Sequence, residues 1–412
     1  MSITNEEQIR RIKIVFILLL VILGVLFLPI ITGIILLICS FISNGKKRYW
    51  LLLMFCILSG LVFLDIVPGN GLDIERYMIV TSQMSMVSGI KDWLLFCKSN
   101  PSTQYEKTSY LFFLLQYIAS RFSHLNLLSY YSTVLTSFFY FFPFINYTMS
   151  DGLRVKWYAC VLSLVSFFLL GYGNIASTMR WGLAVSSCFF VDYLYFYHLK
   201  NKRYILLLFL PVFFHLGIIL AVILSVYVAI LKRINIVTLF VPVIIVIIYM
   251  ELAVRGDSSS IIGQLSNMTA IYSNGFGSGQ VISQGAKMVM LVQYITVFML
   301  IFYYINLQIK SKVVNEPFSN LAKVFIIMLI FLIPKSTIFY RYATFAVIIY
   351  CFIAVQILKR RKSTFNELIL LLLVVACSSF LGFVSYRQFQ FVFSDVGIIF
   401  KNIFTLLLNA PM

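Results

Sequence analysis

Arg180 stands in "STMRWGLAVSSCFFVDYLYFYHLK" (177–200), where an apolar run long enough to cross a bilayer begins. A guanidinium at membrane depth costs about 2.5–3.5 kcal/mol even on the lenient insertion scale, so it normally faces a protein interior or a polar cavity. Arg341, in "KSTIFYRYATFAVIIY", opens another apolar run in the same way, with Lys335 one or two turns earlier. His215 lies inside the apolar run "LPVFFHLGIIL". Two carboxylates complete the set: Asp73 in "GNGLDIERYMIV" and Glu106 in "YEKTSYLFF". If the first of these stretches is helical, Asp73, Arg76 and Tyr77 at i, i+3 and i+4 share one face, offering an anion, a fork of donors and a ring. Two or three arginines with a nearby lysine are what a diphosphate requires, because guanidinium forks match phosphate oxygens bidentately and stay charged when desolvated. A lipid-linked substrate fits both the charges and the apolar setting.

Each residue also has a plainer reading. Asp73 and Arg76 form a surface ion pair of little energetic value. Glu106 is a carboxylate favoured by a helix N-terminal dipole. Arg180 and Arg341 snorkel to the headgroups, with Trp181 suited to an interfacial belt. His215 is a hydrogen-bonded packing residue. The functional reading gains weight because these costly charges gather while most other apolar runs carry none.

The elements that must position them are apolar helices. The 412 residues are 61% hydrophobic and only 11% charged, with a mean hydropathy of +0.97, which excludes a soluble globular domain. Apolar runs recur from 13–43 to 368–386, so the chain reads as one all-α, polytopic integral membrane domain over 1–412, with about 10–13 transmembrane helices. The net charge of +18 comes from Lys and Arg clustered in short loops, among them Lys46, Lys47, Arg48; Arg154, Lys156; and Lys359, Arg360, Arg361. That is the positive-inside pattern, so these loops are expected in the cytoplasm and no nucleic-acid partner is implied. The long polar segments 68–108 and 254–285 then fall on the opposite face as external loops, together with Arg180 and Arg341. Runs 13–43, 109–122 and 204–231 have the same loop side at both ends, so each is expected to be re-entrant, broken or kinked, with Pro29 and Pro211 as break points.

The first apolar run is too long for a cleavable signal peptide. Six of the seven cysteines lie in or beside apolar runs and only Cys97 in a loop, with no disulfide or metal-ligand spacing. No nucleotide-binding or metalloprotease pattern is present, and neither a cofactor nor a metal is expected. The "RGD" at 255–257 is a chance loop tripeptide.

In order along the chain, these residues resemble the EpsG and Wzy group of polysaccharide repeat-unit polymerases. The group's Gly-x-Asp-x-x-x-Tyr element corresponds to Gly71, Asp73 and Tyr77, and its helix-opening glutamate to Glu106. Its Ile-Arg-Gln-Gly-x-Ala element corresponds to "MRWGLA", with Trp181 where glutamine is usual. Its Phe-His element matches Phe214 and His215, and its late arginine followed by an aromatic matches Arg341 and Tyr342. The group usually has an arginine shortly before the first element; here Asp65 stands there, and Arg76 is the candidate substitute.

The resemblance implies a GT-C-like bundle in the bacterial cytoplasmic membrane, its active site facing outward. The implied reaction joins undecaprenyl-diphosphate-linked oligosaccharide units without ATP or nucleotide sugars, and a chain-length regulator is a candidate partner. Arg180 and Arg341, with Arg76 and Lys335, would hold the diphosphate. His215 is the first candidate for general base, with Asp73 and Glu106 as alternatives, and Tyr77 would stack on a sugar. The rival readings are an O-antigen ligase-like glycosyltransferase and a lipid-linked oligosaccharide flippase. A flippase predicts charges along a central path in two repeated halves, and no half-repeat is visible.

Overall fold

A computed structural model describes residues 19–65, 73–99, 109–122, 126–176, 179–199, 201–231, 236–255, 284–311, 317–333, 336–389 and 400–408. Among these residues every regular element is helical. After a helical stretch at 19–27 come α1 (Pro29–Ile42), α2 (Lys47–Leu61), α3 (Asp73–Met84), α4 (Ile90–Ser99) and α5 (Tyr110–Ala119). They are followed by α6 (Leu127–Tyr147), α7 (Leu153–Ala176), α8 (Met179–Tyr193), α9 (Ile219–Leu231) and α10 (Ile236–Arg255). The remaining helices are α11 (Gln284–Ser311), α12 (Pro317–Leu332), α13 (Ser336–Arg360), α14 (Phe365–Phe389) and α15 (Ile403–Leu408).

Among the described residues, five helical stretches are long and apolar enough to span a membrane: Lys47–Leu64, Leu153–Gly171, Leu291–Ile309, Ile338–Arg360 and Phe365–Ser385. α13 is the central one, buried almost throughout and packed against α7, α11 and α12. α11 and α14 present most of their spans outward, as helices meeting lipid do. α8 is also a core element: every residue from Met179 to Tyr193 except Phe190 is buried.

The interruptions fall where the chain chemistry demands them. Leu28 leaves helical geometry (φ −140°, ψ 62°) and Pro29 opens α1, so the run 13–43 is broken as expected. The run 204–231 is a 3₁₀ helix over Lys202–Phe213, an extended residue at His215, a 3₁₀ turn over Leu216–Ile218, and then α9. Between 109 and 122 the helix α5 has only ten residues, half of what a crossing needs. α7 kinks at Gly171, whose φ of 77° only glycine adopts cheaply.

The polar segment 68–108 carries helices where it is described, within 73–99. It contains α3 and α4, both packed on α5, and Cys97 is buried on α4. The amphipathic spacing of Ile74, Tyr77, Met78 and Thr81 buries one face of α3, which offsets its low overall hydrophobicity. The segment 254–285 lies almost wholly outside the described residues.

Basic residues expected in cytoplasmic loops come together at one end of the bundle. Arg48 is fully buried there and donates to the carbonyls of Ser43, Gly45, Ile145 and Met149, tying the ends of α1 and α6 together. Lys359 pairs with Asp151 at 3.0 Å, and Arg154 donates to the Leu358 carbonyl. Arg361 grips buried Glu367 with two bonds of 2.8 and 2.9 Å. Arg341 and Lys359 stand at opposite ends of α13, about 27 Å apart by helix rise. Arg341, in the first turns of α13, is thus about a membrane thickness away from this basic end.

Candidate functional site

The site begins at the N-terminal end of α8. Arg180 is 4% exposed, and its Nε–H donates to the Tyr77 hydroxyl at 2.8 Å. Its guanidinium lies over the Tyr77 ring at 4.9 Å and over Phe112 at 5.7 Å. Phe112 in turn meets the Tyr77 ring edge to face at 5.1 Å. Gln116, one turn further along α5, donates to the Tyr77 carbonyl at 3.1 Å. α3 and α5 together therefore build an aromatic floor beneath the cation, which is attracted to the negative ring faces.

Trp181, the next residue on α8, is the hub of the second half. Arg341 on α13 places its guanidinium 5.3 Å from the indole centroid. His215 and Tyr342 meet the same indole edge to face, at 5.6 and 6.1 Å between ring centroids. The Tyr342 hydroxyl donates to the Gly217 carbonyl at 2.6 Å, while the Gly217 N–H donates to His215 Nδ1 at 2.8 Å. Gly217 has no alternative here, since a Cβ would sit 2.8 Å from His215 Cε1 and 2.9 Å from Nδ1. The chain break in 204–231 is therefore what turns the imidazole into the site.

Arg76 also lies over the Tyr77 ring, 5.6 Å from its centroid. It also pairs with Asp73 at 3.5 Å, and both side chains are well exposed, so this contact is worth little by itself. Arg180, Arg341 and Arg76 all act electrostatically on His215. Three arginines from α3, α8 and α13 thus surround a group of rings with one imidazole among them, an arrangement suited to a multiply charged anion.

Of the residues singled out in the sequence, Arg180, Arg341, Arg76, Tyr77 and His215 come together, with Asp73 at the rim on α3. Glu106, Lys335 and Gly71 lie outside the described residues. Trp181 counts for more than its interfacial reading allowed, because it is buried at 1% exposure between Arg341 and His215. Asp192 was passed over, although a lone acid in an apolar run was the signal for it. It is buried and accepts a hydrogen bond from Ser225 at 2.9 Å, about 18 Å along α8 from Arg180, so it lies apart from the site. Among the described residues no three His, Cys, Asp or Glu side chains gather as metal ligands.

A helical bundle with five apolar stretches long enough to span a bilayer fits a multi-pass membrane protein, and its cationic, ring-lined end is the candidate site. The model of the EpsG family matches residues 71–394, and the chain belongs to that family. The match runs from just before α3 through α14 and so contains Asp73, Arg76, Tyr77, Arg180, His215 and Arg341. No curated protein and no solved structure is significantly similar to the chain. Family membership supports a polysaccharide polymerase-type role with glycosyltransferase-like chemistry.

Proposed function

We propose that the protein polymerises oligosaccharide repeat units carried on a lipid diphosphate, undecaprenyl diphosphate being the carrier, at the outer face of the bacterial cytoplasmic membrane. The single observation that carries this reading is the convergence of Arg180, Arg341 and Arg76 on the Tyr77, Trp181 and His215 rings. In the reaction, the bond between the sugar anomeric carbon of the growing chain and its diphosphate oxygen breaks. A hydroxyl oxygen of the incoming unit bonds to that carbon, its proton passes to a base, and the carrier leaves as the diphosphate. The arginines stabilise the negative charge that develops on the departing oxygen, often the largest single catalytic contribution. Lys335 joins them as a further cation, and Tyr77 presents a ring to a sugar. Asp73, Glu106 and His215 are the groups available for the proton.

The outward orientation is supported by the basic residues gathered at the far end of the bundle, through the positive-inside rule. Metal independence is part of the proposal, with guanidinium groups taking the place of a cation. The test is to reconstitute the purified protein in liposomes with chelator and the lipid-linked repeat unit that accumulates in cells lacking this chain. A ladder of glycolipids of increasing length is the expected result. Substrate that stays single but crosses the bilayer would make the protein a flippase. Transfer of the glycan to a different lipid acceptor would make it a ligase.

A further inference from the structure

We infer that His215 acts as a neutral hydrogen-bond donor through its Nε2–H, with the Trp181 indole N–H as a second donor beside it, both directed to oxygens of the anion held between Arg180 and Arg341. The inference rests on the diphosphate reading above and assigns these two residues within that site.

The first observation is the direction of one hydrogen bond. The Gly217 backbone N–H points at His215 Nδ1 from 2.8 Å. An amide N–H can only donate, and its direction is fixed by the chain, unlike that of a rotatable hydroxyl. Nδ1 must therefore hold a lone pair, so the ring carries its one proton on Nε2. The turn is itself clamped, because the Gly217 carbonyl accepts the Tyr342 hydroxyl at 2.6 Å. A neutral imidazole has a single free lone pair, and here it is already engaged. Taking up a substrate proton at Nδ1 would set that proton against the Gly217 N–H. His215 is therefore badly placed as general base and well placed as donor, and the proton of the sugar hydroxyl goes to a carboxylate, Asp73 or Glu106.

The second observation is independent. The Trp181 indole N–H is buried and has no hydrogen-bond partner among the described residues. A buried donor left unpaired costs about 1–3 kcal/mol, which a bound acceptor would recover. The indole packs against Arg341 and His215, the two groups of the site that come from α13 and from the turn before α9. Neutral donors between two guanidinium groups add directional bonds without adding like charge.

Two measurements test this. First, the protein labelled with ¹⁵N-histidine is compared by NMR with His215→Gln, which identifies the His215 signal by its loss. A ring protonated at Nε2 and bare at Nδ1 is expected; a proton on Nδ1 overturns the assignment whatever the activity. Second, binding of farnesyl diphosphate to the detergent-solubilised protein is measured, with inorganic pyrophosphate as a parallel probe to separate lipid-linked from free diphosphate. Gln carries an amide N–H near the Nε2 position, whereas Asn reaches only to Nδ1. Binding by His215→Gln is expected within about threefold of the parent, and His215→Asn, His215→Ala and Trp181→Phe are each expected to weaken it roughly tenfold or more. A base would leave this ground-state binding unchanged in His215→Ala, so an unchanged dissociation constant in folded His215→Ala removes the donor role. Unchanged binding by Trp181→Phe removes the indole. If the parent binds neither probe, the diphosphate reading fails, and the anion assigned to these donors falls with it.

Discussion

Arg180 donates to the Tyr77 hydroxyl at 2.8 Å across 103 residues of chain, and its guanidinium lies over the same ring. This one relationship brings α3 to α8 and explains how an arginine is tolerated in the core. It is held by a phenol oxygen and two ring faces.

The contact predicts a graded response at Tyr77. Tyr77→Phe keeps the ring under Arg180 and removes only the hydroxyl, so the initial rate of ladder formation should fall by about 1–2 kcal/mol of transition-state stabilisation. Tyr77→Ala removes the ring as well and should cost more. Equal rates for Tyr77→Phe and the parent protein would show that the hydroxyl does not position Arg180.

Arg180→Ala and Arg341→Ala should each abolish product while the protein stays in the membrane at its normal level. Lys at either position should recover little, because an ammonium lacks the planar fork and stacks poorly on Tyr77 or Trp181. Full activity in both alanine variants, read on the glycolipid gel, would remove the diphosphate clamp.

Gly217→Ala places a methyl group within 2.9 Å of the His215 ring. The ring is fixed at its backbone, so it must tilt and lose the Gly217 bond, at a cost of about 1–3 kcal/mol. The expected outcome is a lowered rate with a changed ¹⁵N-histidine spectrum; an unaltered His215 signal would contradict the close packing of this turn.

At the opposite end of the bundle, Glu367→Ala leaves the largely buried Arg361 without its bidentate partner and frees the Thr364 N–H at the start of α14. Thermal stability in detergent should drop by roughly 3 kcal/mol, as when one partner of a buried pair is removed. The KM of the remaining folded protein should be unchanged, since the pair is far from the anion site. A shift in KM with unaltered stability would contradict this separation.

Arg48→Ala should be as severe for folding, because four carbonyl oxygens at the ends of α1 and α6 lose their donor, whereas Lys47→Ala should be close to neutral. Folded protein recovered from membranes, measured by fluorescence-detected size exclusion, separates the two.

The amino-acid sequence by itself determined the class of structure. Apolar runs of near-membrane length leave helices as the available spanning form, and Pro29 marks a break because it has no N–H to continue the preceding helix. The sequence also picked out Arg180, Arg341 and His215, because charge in an apolar run is costly enough to stand out. The 3.6-residue period placed Asp73, Arg76 and Tyr77 on one helix face, and that period survives in α3 although the surrounding polar segment reads as a loop. Which faces meet was decided only in the tertiary structure. Helices such as α8 are buried nearly all round, so their pattern carries little direction, and packing shape selects the partners. That is why Tyr77 could be named as a candidate but not as the partner of Arg180, and why Trp181 read as an interfacial residue, not as the ring shared by Arg341, His215 and Tyr342. Arg48 reads as one more loop cation for the same reason, since its burial depends on where α6 ends. The proton on His215 was likewise out of reach: it is set by the direction of one backbone N–H in a turn held by Tyr342 from a distant helix.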